Sequence, residues 1–134
     1  MTCFWDSILK TLNNSDFLLF KTPKMQNYEF IKFLKHFNIR TQEIKWNGES
    51  LTKKQLDENF DHIKDFDQNT IRNGYDCSTC EPFLFLVCKL FKVSIEHNYL
   101  GHTMKYEHPN PKKILHYSSD RGHFRNVTVR FLKE

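Results

Sequence analysis

Hydrophobic side chains recur every three to four positions in four separate segments, which is the spacing of one buried face of an α-helix. The pattern predicts helices over residues 3–12, 25–37, 52–66 and 81–91. Thr52 is the predicted N-cap of the third helix, because Gln55 stands three positions later, as in a capping box. Pro82 suits the first turn of the fourth helix, which is the most apolar stretch of the chain and is therefore predicted to be buried.

The second half of the chain changes to a period of two, which is typical of half-buried β-strands. Four strands are predicted at residues 93–97, 104–107, 114–117 and 124–131, with a turn at Leu100 and Gly101. Residues 41–46 look extended, and Asn47-Gly48 is a turn signal that closes a small hairpin or ends the strand. Helices first and strands last favour an α+β fold, with helices packed on a small, mostly antiparallel sheet.

The length of 134 residues fits one domain, so residues 1–134 are treated as a single unit. The 13 Phe residues make the chain too aromatic for an intrinsically disordered protein. Alanine is absent while Phe, Lys, Asn and Ile are abundant, which we interpret as the imprint of an AT-rich genome. The net charge of +4 comes from dispersed basic residues, so a nucleic-acid partner is not favoured.

No segment approaches the roughly 20 apolar residues that span a bilayer, and the first residues lack the basic region of a signal peptide. We therefore expect a soluble, cytoplasmic protein without a membrane partner, and we expect it to be a monomer. In a reducing compartment the four cysteines are free thiols, metal ligands or a nucleophile rather than disulfides.

Cys3 is the first candidate for chemistry, because it stands in the first turn of the first predicted helix. Unpaired backbone amides and the positive end of the helix dipole stabilise a thiolate there. The best placed base is His123, in the turn that opens the last predicted strand. An early Cys and a late His joined through a sheet follow the general logic of a cysteine hydrolase. An inert Cys3 and a surface His123 give the same sequence pattern.

A zinc site is the alternative use of the cysteines, with Cys77, Cys80, Cys88 and either His97 or His102 as ligands. Cys88 falls within the apolar helix, where a buried free thiol is the commoner occupant, and the spacing matches no standard zinc finger. We therefore expect no metal and no other cofactor. Cys77 and Cys80 are interpreted as thiols of the loop and of the region around the helix N-cap.

Other polar residues have structural interpretations. Glu81 is expected to open the fourth helix and to complement its dipole. Most of the histidines on the predicted strands are expected at the surface or half-buried in the sheet; the four are His97, His102, His108 and His116.

Three blocks of the sequence carry a resemblance to a known family. In TCFWDSILKTL a Cys precedes a bulky apolar residue, a small residue and an aliphatic pair. GYDCSTCEPFLFLVCKLFKVSIEHNY joins an acidic residue, an apolar helix and a strand, and ILHYSSDRGHFRNV ends on a strand, a loop and a His followed by an aromatic residue. In this order and spacing the blocks resemble the ovarian-tumour (OTU) family of cysteine proteases. Short OTU-like proteins of giant DNA viruses are the most similar, in accord with the AT-rich composition.

The resemblance implies a papain-type α+β fold and hydrolysis of the (iso)peptide bond after the C-terminus of ubiquitin or a ubiquitin-like modifier. It implies that Cys3 is the nucleophile and His123 the general base, with Phe124 in the place of the family's aromatic residue. An orienting residue often stands two positions after the His, where this chain has Arg125. Asn126 is the nearest substitute and is taken as the third catalytic candidate.

On a regular strand Asn126 points away from His123, so a β-bulge is needed to bring the two together. A dyad of Cys3 and His123 is also open, as is a third residue from elsewhere, with Asp120 the next position to test. Only Met1 and Thr2 precede Cys3, so the oxyanion hole is expected to come largely from backbone amides at the start of the helix or from another loop.

Three functions follow from the resemblance. The first is a cysteine-type deubiquitinase whose partner is ubiquitin or polyubiquitin, acting in the host cytoplasm if the protein is viral. The second is a cysteine protease that processes a viral polyprotein or another peptide. The third is a non-catalytic OTU-like module that binds a partner and retains Cys3 only structurally.

Overall fold

The structure of the chain is a computed structural model that describes residues 3–69 and 77–132, and residues 77–79 by their backbone alone. The helices of the described residues are α1 (Cys3–Thr11), α2 (Asn14–Phe17), α3 (Asn27–His36), α4 (Lys53–Asp65) and α5 (Cys77–Phe91), with a 3-10 turn at Leu18–Phe20. The strands are β1 (Lys45–Trp46), β2 (Glu49–Ser50), β3 (Ser94–Tyr99), β4 (His102–Glu107), β5 (Lys113–Ser119) and β6 (Phe124–Phe131).

The six strands form one sheet in the order β2-β1-β4-β3-β5-β6. Neighbouring strands are antiparallel except for β3 and β5, which run parallel. Tyr99 and Ser119 are therefore level with each other at the ends of β3 and β5, and Phe124 opens β6 opposite Ser119. These strand ends lie on one side of the sheet, which we call the upper edge.

The helices pack on one face of the sheet, with α5 against β3 and β4 and with α1 against β6. Alternate strand residues turn toward them and are buried, as the two-residue period predicts; they include Ile95, Leu115, Tyr117 and Phe124. Aromatic rings fill much of the core between the layers, among them Phe4, Trp5, Phe17, Phe30, Phe83 and Phe91. The structure thus confirms the prediction of an α+β fold with a mostly antiparallel sheet.

Several local predictions are confirmed in detail. Thr52 caps α4 and forms the predicted capping box with Gln55. Asn47 and Gly48 both have positive φ, and they close the β1–β2 hairpin. Leu100-Gly101 does the same between β3 and β4. Two consecutive positive φ values match the twist of antiparallel strands, so these pairs form tight hairpin turns.

The start of α5 differs from the prediction. The helix begins at Cys77, four residues before Glu81, so Glu81 does not open it and Pro82 lies inside it. The apolar pattern marked only the buried part of the helix, which extends N-terminally through more polar residues. Cys80 is consequently a buried helical residue and not a thiol of the loop or of the N-cap region.

One other expectation was wrong. Residues 41–46 are not one extended segment, because the N–H of Ile44 donates to the carbonyl of Thr41 in a turn, and only Lys45–Trp46 pairs as a strand. Of the four strand histidines, His102, His108 and His116 are exposed or half-buried as expected for most of them, and His97 is the exception: it is 0% exposed, on the face of the sheet that the helices cover.

A buried ion cluster joins α2 to β5. Lys113 Nζ lies 2.6 Å from Asp16 Oδ2 and 3.0 Å from the carbonyl oxygen of Thr11, and Lys112 Nζ lies 2.6 Å from Asp16 Oδ1. Burial alone raises the pKa of Asp16, but the hydrogen bonds from Lys112 and Lys113 outweigh it and lower the pKa overall. Asp16 and Lys113 are therefore an ionised pair in the core.

Candidate active site

Helix α1 lies along β5 and β6 with its N-terminus toward the upper edge. The Oγ1 of Thr11 is 2.5 Å from the hydroxyl of Tyr117, in the upper half of β5. One turn earlier, Ser7 Oγ donates to the carbonyl oxygen of Phe124 at 3.1 Å, at the start of β6. The ring of Phe4 packs edge-on against the ring of Phe124, with centroids 4.8 Å apart. Phe124 is thus held by the first two turns of α1.

Cys3 is the next residue along the same helix face, since positions 3, 7 and 11 are four apart. Four residues of helix rise by about 6 Å, close to the rise of two strand residues. The step from Thr11 to Ser7 matches the distance along the sheet from Tyr117 to the upper edge. Cys3 is one further step in the same direction, toward the side of the sheet where the turn between β5 and β6 carries His123.

The Cys3 thiol is half-buried, whereas the other thiols whose side chains the structure describes are buried. Cys88 is 0% exposed, its Sγ lies 3.7 Å from the carbonyl oxygen of Tyr106, and burial raises its pKa well above the ordinary value. A protonated, enclosed thiol is a poor nucleophile. Among the described cysteines, Cys3 is therefore the thiol that a substrate can reach.

Neighbouring core residues fix the position of Cys3. Phe4 and Trp5 are each 3% exposed, and their rings meet edge-on at 4.9 Å. Trp5 also packs against Phe83 of α5 at 4.9 Å. The first N–H groups of a helix have no acceptor within it, so the first turn of α1 presents donors beside the thiol. These donors suit a carboxylate, an oxyanion or a thiolate.

His123 is exposed in a four-residue turn, Asp120 to His123, that joins β5 to β6. Asp120 Oδ1 accepts hydrogen bonds from the backbone N–H groups of Gly122 at 3.0 Å and His123 at 2.9 Å. The N–H of Asp120 donates to the carbonyl oxygen of His123 at 3.0 Å. These backbone hydrogen bonds, led by the one from Gly122, lower the pKa of Asp120.

The direction of α1 places Cys3 on the side of the sheet where the turn with His123 lies, and no hydrogen bond joins the two side chains in the described part of the chain. Helix α1, which carries Cys3, contacts Phe124, the residue directly after His123. Sequence reasoning did not find Ser7, which makes this connection. Its spacing of four from Cys3 was the available signal, because a Ser on a buried helix face needs a partner.

Strand β6 contains a β-bulge directly after Asn126. Asn126 pairs with Tyr117, whereas Thr128 pairs with His116, so Val127 is the extra residue. The bulge follows Asn126 and leaves it in the alternation that begins at Phe124. The Asn126 side chain is exposed, and within the described residues it makes no hydrogen bond to His123.

Beneath the turn lies a buried histidine. His97 Nε2 is 2.5 Å from Ser119 Oγ, and its ring centroid is 5.1 Å from that of Phe124. Ser119 precedes the turn and Phe124 follows it, so His97 contacts both ends of the segment that carries His123. Burial lowers the pKa of His97 to about 4, which makes it neutral at pH 7.

The zinc alternative finds little support in the described side chains. In them no group of three or more His, Cys, Asp or Glu residues is arranged to hold a metal ion. Of its proposed ligands, Cys88 is hydrogen-bonded to Tyr106 and His97 is hydrogen-bonded to Ser119, and the side chain of Cys77 lies outside the described residues.

Glu81 is a partly buried acid of α5. It accepts a hydrogen bond from the Tyr106 hydroxyl at 2.7 Å, and burial raises its pKa.

The chain was compared with protein-family models, with curated proteins and with solved structures, and none of the three comparisons gave a match. The described helices are all too short or too polar to cross a membrane.

Proposed function

We propose that this protein is an OTU-like cysteine protease that hydrolyses the (iso)peptide bond after the C-terminus of ubiquitin or a ubiquitin-like modifier. Cys3 is the nucleophile and His123 the general base. Asn126 stays the sequence-based candidate for the residue that orients the imidazole, although the β-bulge follows Asn126 and its side-chain amide makes no hydrogen bond in the described part of the chain. The proposed fold is of the papain type.

The observation that carries the proposal is the contact of α1 with Phe124. Ser7 and Phe4 hold the residue after His123 against the first two turns of the helix. The half-buried thiol of Cys3 lies one helical turn beyond Ser7, toward the turn that contains His123. A thiol at a helix N-terminus beside a histidine is the arrangement that activates a cysteine nucleophile.

The reaction follows from these roles. His123 accepts the thiol proton of Cys3, and the thiolate attacks the carbonyl carbon of the scissile bond. Backbone N–H groups of the first turn of α1 stabilise the oxyanion that forms. The imidazolium protonates the leaving amine, and a thioester with Cys3 remains. Water then attacks the thioester as His123 takes its proton, and the thiolate of Cys3 leaves.

A ubiquitin whose C-terminal glycine is replaced by propargylamine tests the proposal, because its alkyne takes the place of the scissile carbonyl and traps only a reactive cysteine that recognises ubiquitin. The wild-type protein should gain the mass of one probe, and Cys3→Ala should gain none. His123→Ala should react at least about 100-fold more slowly. Cys88→Ala is the matched control, since it removes a buried thiol and should still react. Circular dichroism checks that each variant is folded.

Other outcomes identify the alternatives. A peptide-processing protease gives no ubiquitin adduct, yet iodoacetamide alkylates Cys3 ahead of Cys88 and does so more slowly in His123→Ala. A non-catalytic module gives no adduct, and its alkylation at Cys3 does not depend on His123. An adduct that persists in Cys3→Ala overturns the assignment of the nucleophile.

A further inference from the structure

The turn that carries His123 is exposed, although both its ends are anchored in the core. Ser119 before the turn is 5% exposed and is bonded to His97, and Phe124 after it is 2% exposed and is bonded to Ser7. All four residues between them, Asp120 to His123, are exposed. Core packing therefore fixes where the turn starts and ends, but not its conformation.

Asp120 supplies the internal hydrogen bonds of this turn. Its carboxylate accepts the N–H of His123 and its own N–H donates to the carbonyl of His123, so both backbone polar groups of the histidine are bonded to one residue. The same carboxylate oxygen also accepts the N–H of Gly122. Asp side chains that accept backbone N–H groups two or three positions later are a recognised way to close a turn.

The same geometry separates two roles for Asp120. A third catalytic residue directs its carboxylate at the imidazole, as the acid of a triad does. Here Oδ1 is bonded to two backbone amides, and within the described residues no hydrogen bond joins the carboxylate to the ring of His123. The charge of His123 also lowers the pKa of Asp120, but less than either backbone hydrogen bond does. A residue that holds only the backbone needs an acceptor oxygen, whether or not that oxygen is charged.

We infer that Asp120 is a positioning residue that fixes the backbone of His123, and that it does so as a neutral or charged hydrogen-bond acceptor rather than as the charged partner of the imidazole. For catalysis this inference rests on the proposed function. With the backbone of His123 held on both sides, only its two side-chain torsions remain to be set. A displacement of about 1 Å at a reacting group can lower a rate by about 100-fold, so the positioning matters.

Asp120→Asn and Asp120→Ala form the matched pair that tests the inference, because asparagine retains Oδ1 as an acceptor and alanine does not. Arg121→Ala is the control, since it changes an exposed residue of the same turn that makes no described hydrogen bond. Three quantities are measured: turnover of a ubiquitin substrate, the alkylation rate of Cys3 by iodoacetamide, and hydrogen exchange of the Gly122 and His123 amides by NMR.

We expect Asp120→Asn to retain turnover within about threefold, and Asp120→Ala to lower it by roughly 10- to 100-fold with similar KM. Amide protection at Gly122 and His123 should be lost only in Asp120→Ala. Equal losses of turnover in both variants would show that the charge acts on the imidazole, and unchanged exchange in Asp120→Ala would remove the positioning role. If the wild type does not process ubiquitin, the proposed substrate is wrong; exchange and Cys3 alkylation then decide the role of Asp120 independently.

Discussion

His97 leads to a prediction about stability that is independent of any catalytic role. The ring is enclosed between strands and helices, is bonded to Ser119 and lies against Phe124. Burial lowers its pKa from the ordinary 6.5 to about 4, because the charged ring cannot be solvated there. Between these two values the unfolded chain binds a proton at His97 that the folded chain does not bind, so acidification favours unfolding.

The magnitude follows from the two pKa values. Above pH 6.5 His97 is neutral in both states and its contribution to stability is fully present. Lowering the pH from 7 to 5 should reduce the free energy of unfolding by about 2 kcal/mol, and lowering it from 7 to 4 should reduce it by about 3 kcal/mol. Carboxylates with lowered pKa values, such as Asp16, lose their contribution at lower pH than this interval. Burial raises the pKa of Glu81, so its protonation favours the folded state and opposes the slope expected from His97.

Urea unfolding at pH 7, 6 and 5 measures this slope. His97→Gln is the informative variant, because glutamine can bond to Ser119 but does not titrate. Its overall stability will be lower since the ring packing is lost, but its free energy of unfolding should change much less between pH 7 and 5. His108→Gln is the control: burial also lowers the pKa of His108, yet this residue is only partly buried and should account for a small part of the slope.

The wild-type slope and the variant slope can each contradict this reasoning. A wild-type change below about 0.5 kcal/mol between pH 7 and 5 would mean that the core accommodates the charged ring. A slope that persists in His97→Gln would assign the pH dependence to another group.

Three further predictions concern single residues of α1 and of the strands β5 and β6. Ser7→Ala removes the hydroxyl that donates to the carbonyl of Phe124, and should lower the free energy of unfolding by about 1–2 kcal/mol in urea titrations and slow the alkylation of Cys3. Ser7→Thr should restore part of both. Lys113→Met leaves a buried carboxylate with less compensation and should cost about 3 kcal/mol, measured in the same way, whereas an unchanged stability would refute the paired charges. Asn126→Ala should lower turnover of ubiquitin roughly 10- to 1000-fold, less than His123→Ala does, and an unchanged rate would show that Asn126 does not orient the imidazole.

Local elements could be predicted from the sequence where short-range physics decides them. The capping box at Thr52, the two hairpin turns and the bounds of β6 depend on residues within a few positions of one another, and all were found. The short helix α2 was missed although its signal is also local: Asn13 and Asp16 form a capping box of the same kind. The segment contains only four helical residues, too few for a hydrophobic period to be visible.

The sequence pattern could not predict contacts between residues that are far apart in the chain. The burial of His97 depends on the parallel pairing of β3 with β5, which places it beside Tyr117 in the middle of the sheet. An alternating pattern states that a residue shares a face with its neighbours two positions away, but not whether that face is covered. The hydrogen bond of Ser7 to Phe124 joins residues 117 positions apart; the helical spacing marks Ser7 as a residue that needs a partner, but it does not indicate which residue that is.

The two candidate residues differ in how the fold supports them, and this difference separates stability from activity. Cys3 is followed by core residues, and Phe4 and Ser7 both contact Phe124, so substitutions on this side should lower the stability of the fold together with the reactivity of the thiol. His123 lies in an exposed turn whose conformation depends on Asp120 and not on burial. Substitutions in the turn should therefore change reactivity at nearly constant stability. In the proposed site, a nucleophile held by the core residues beside it would act with a base whose position is set by a few exposed hydrogen bonds.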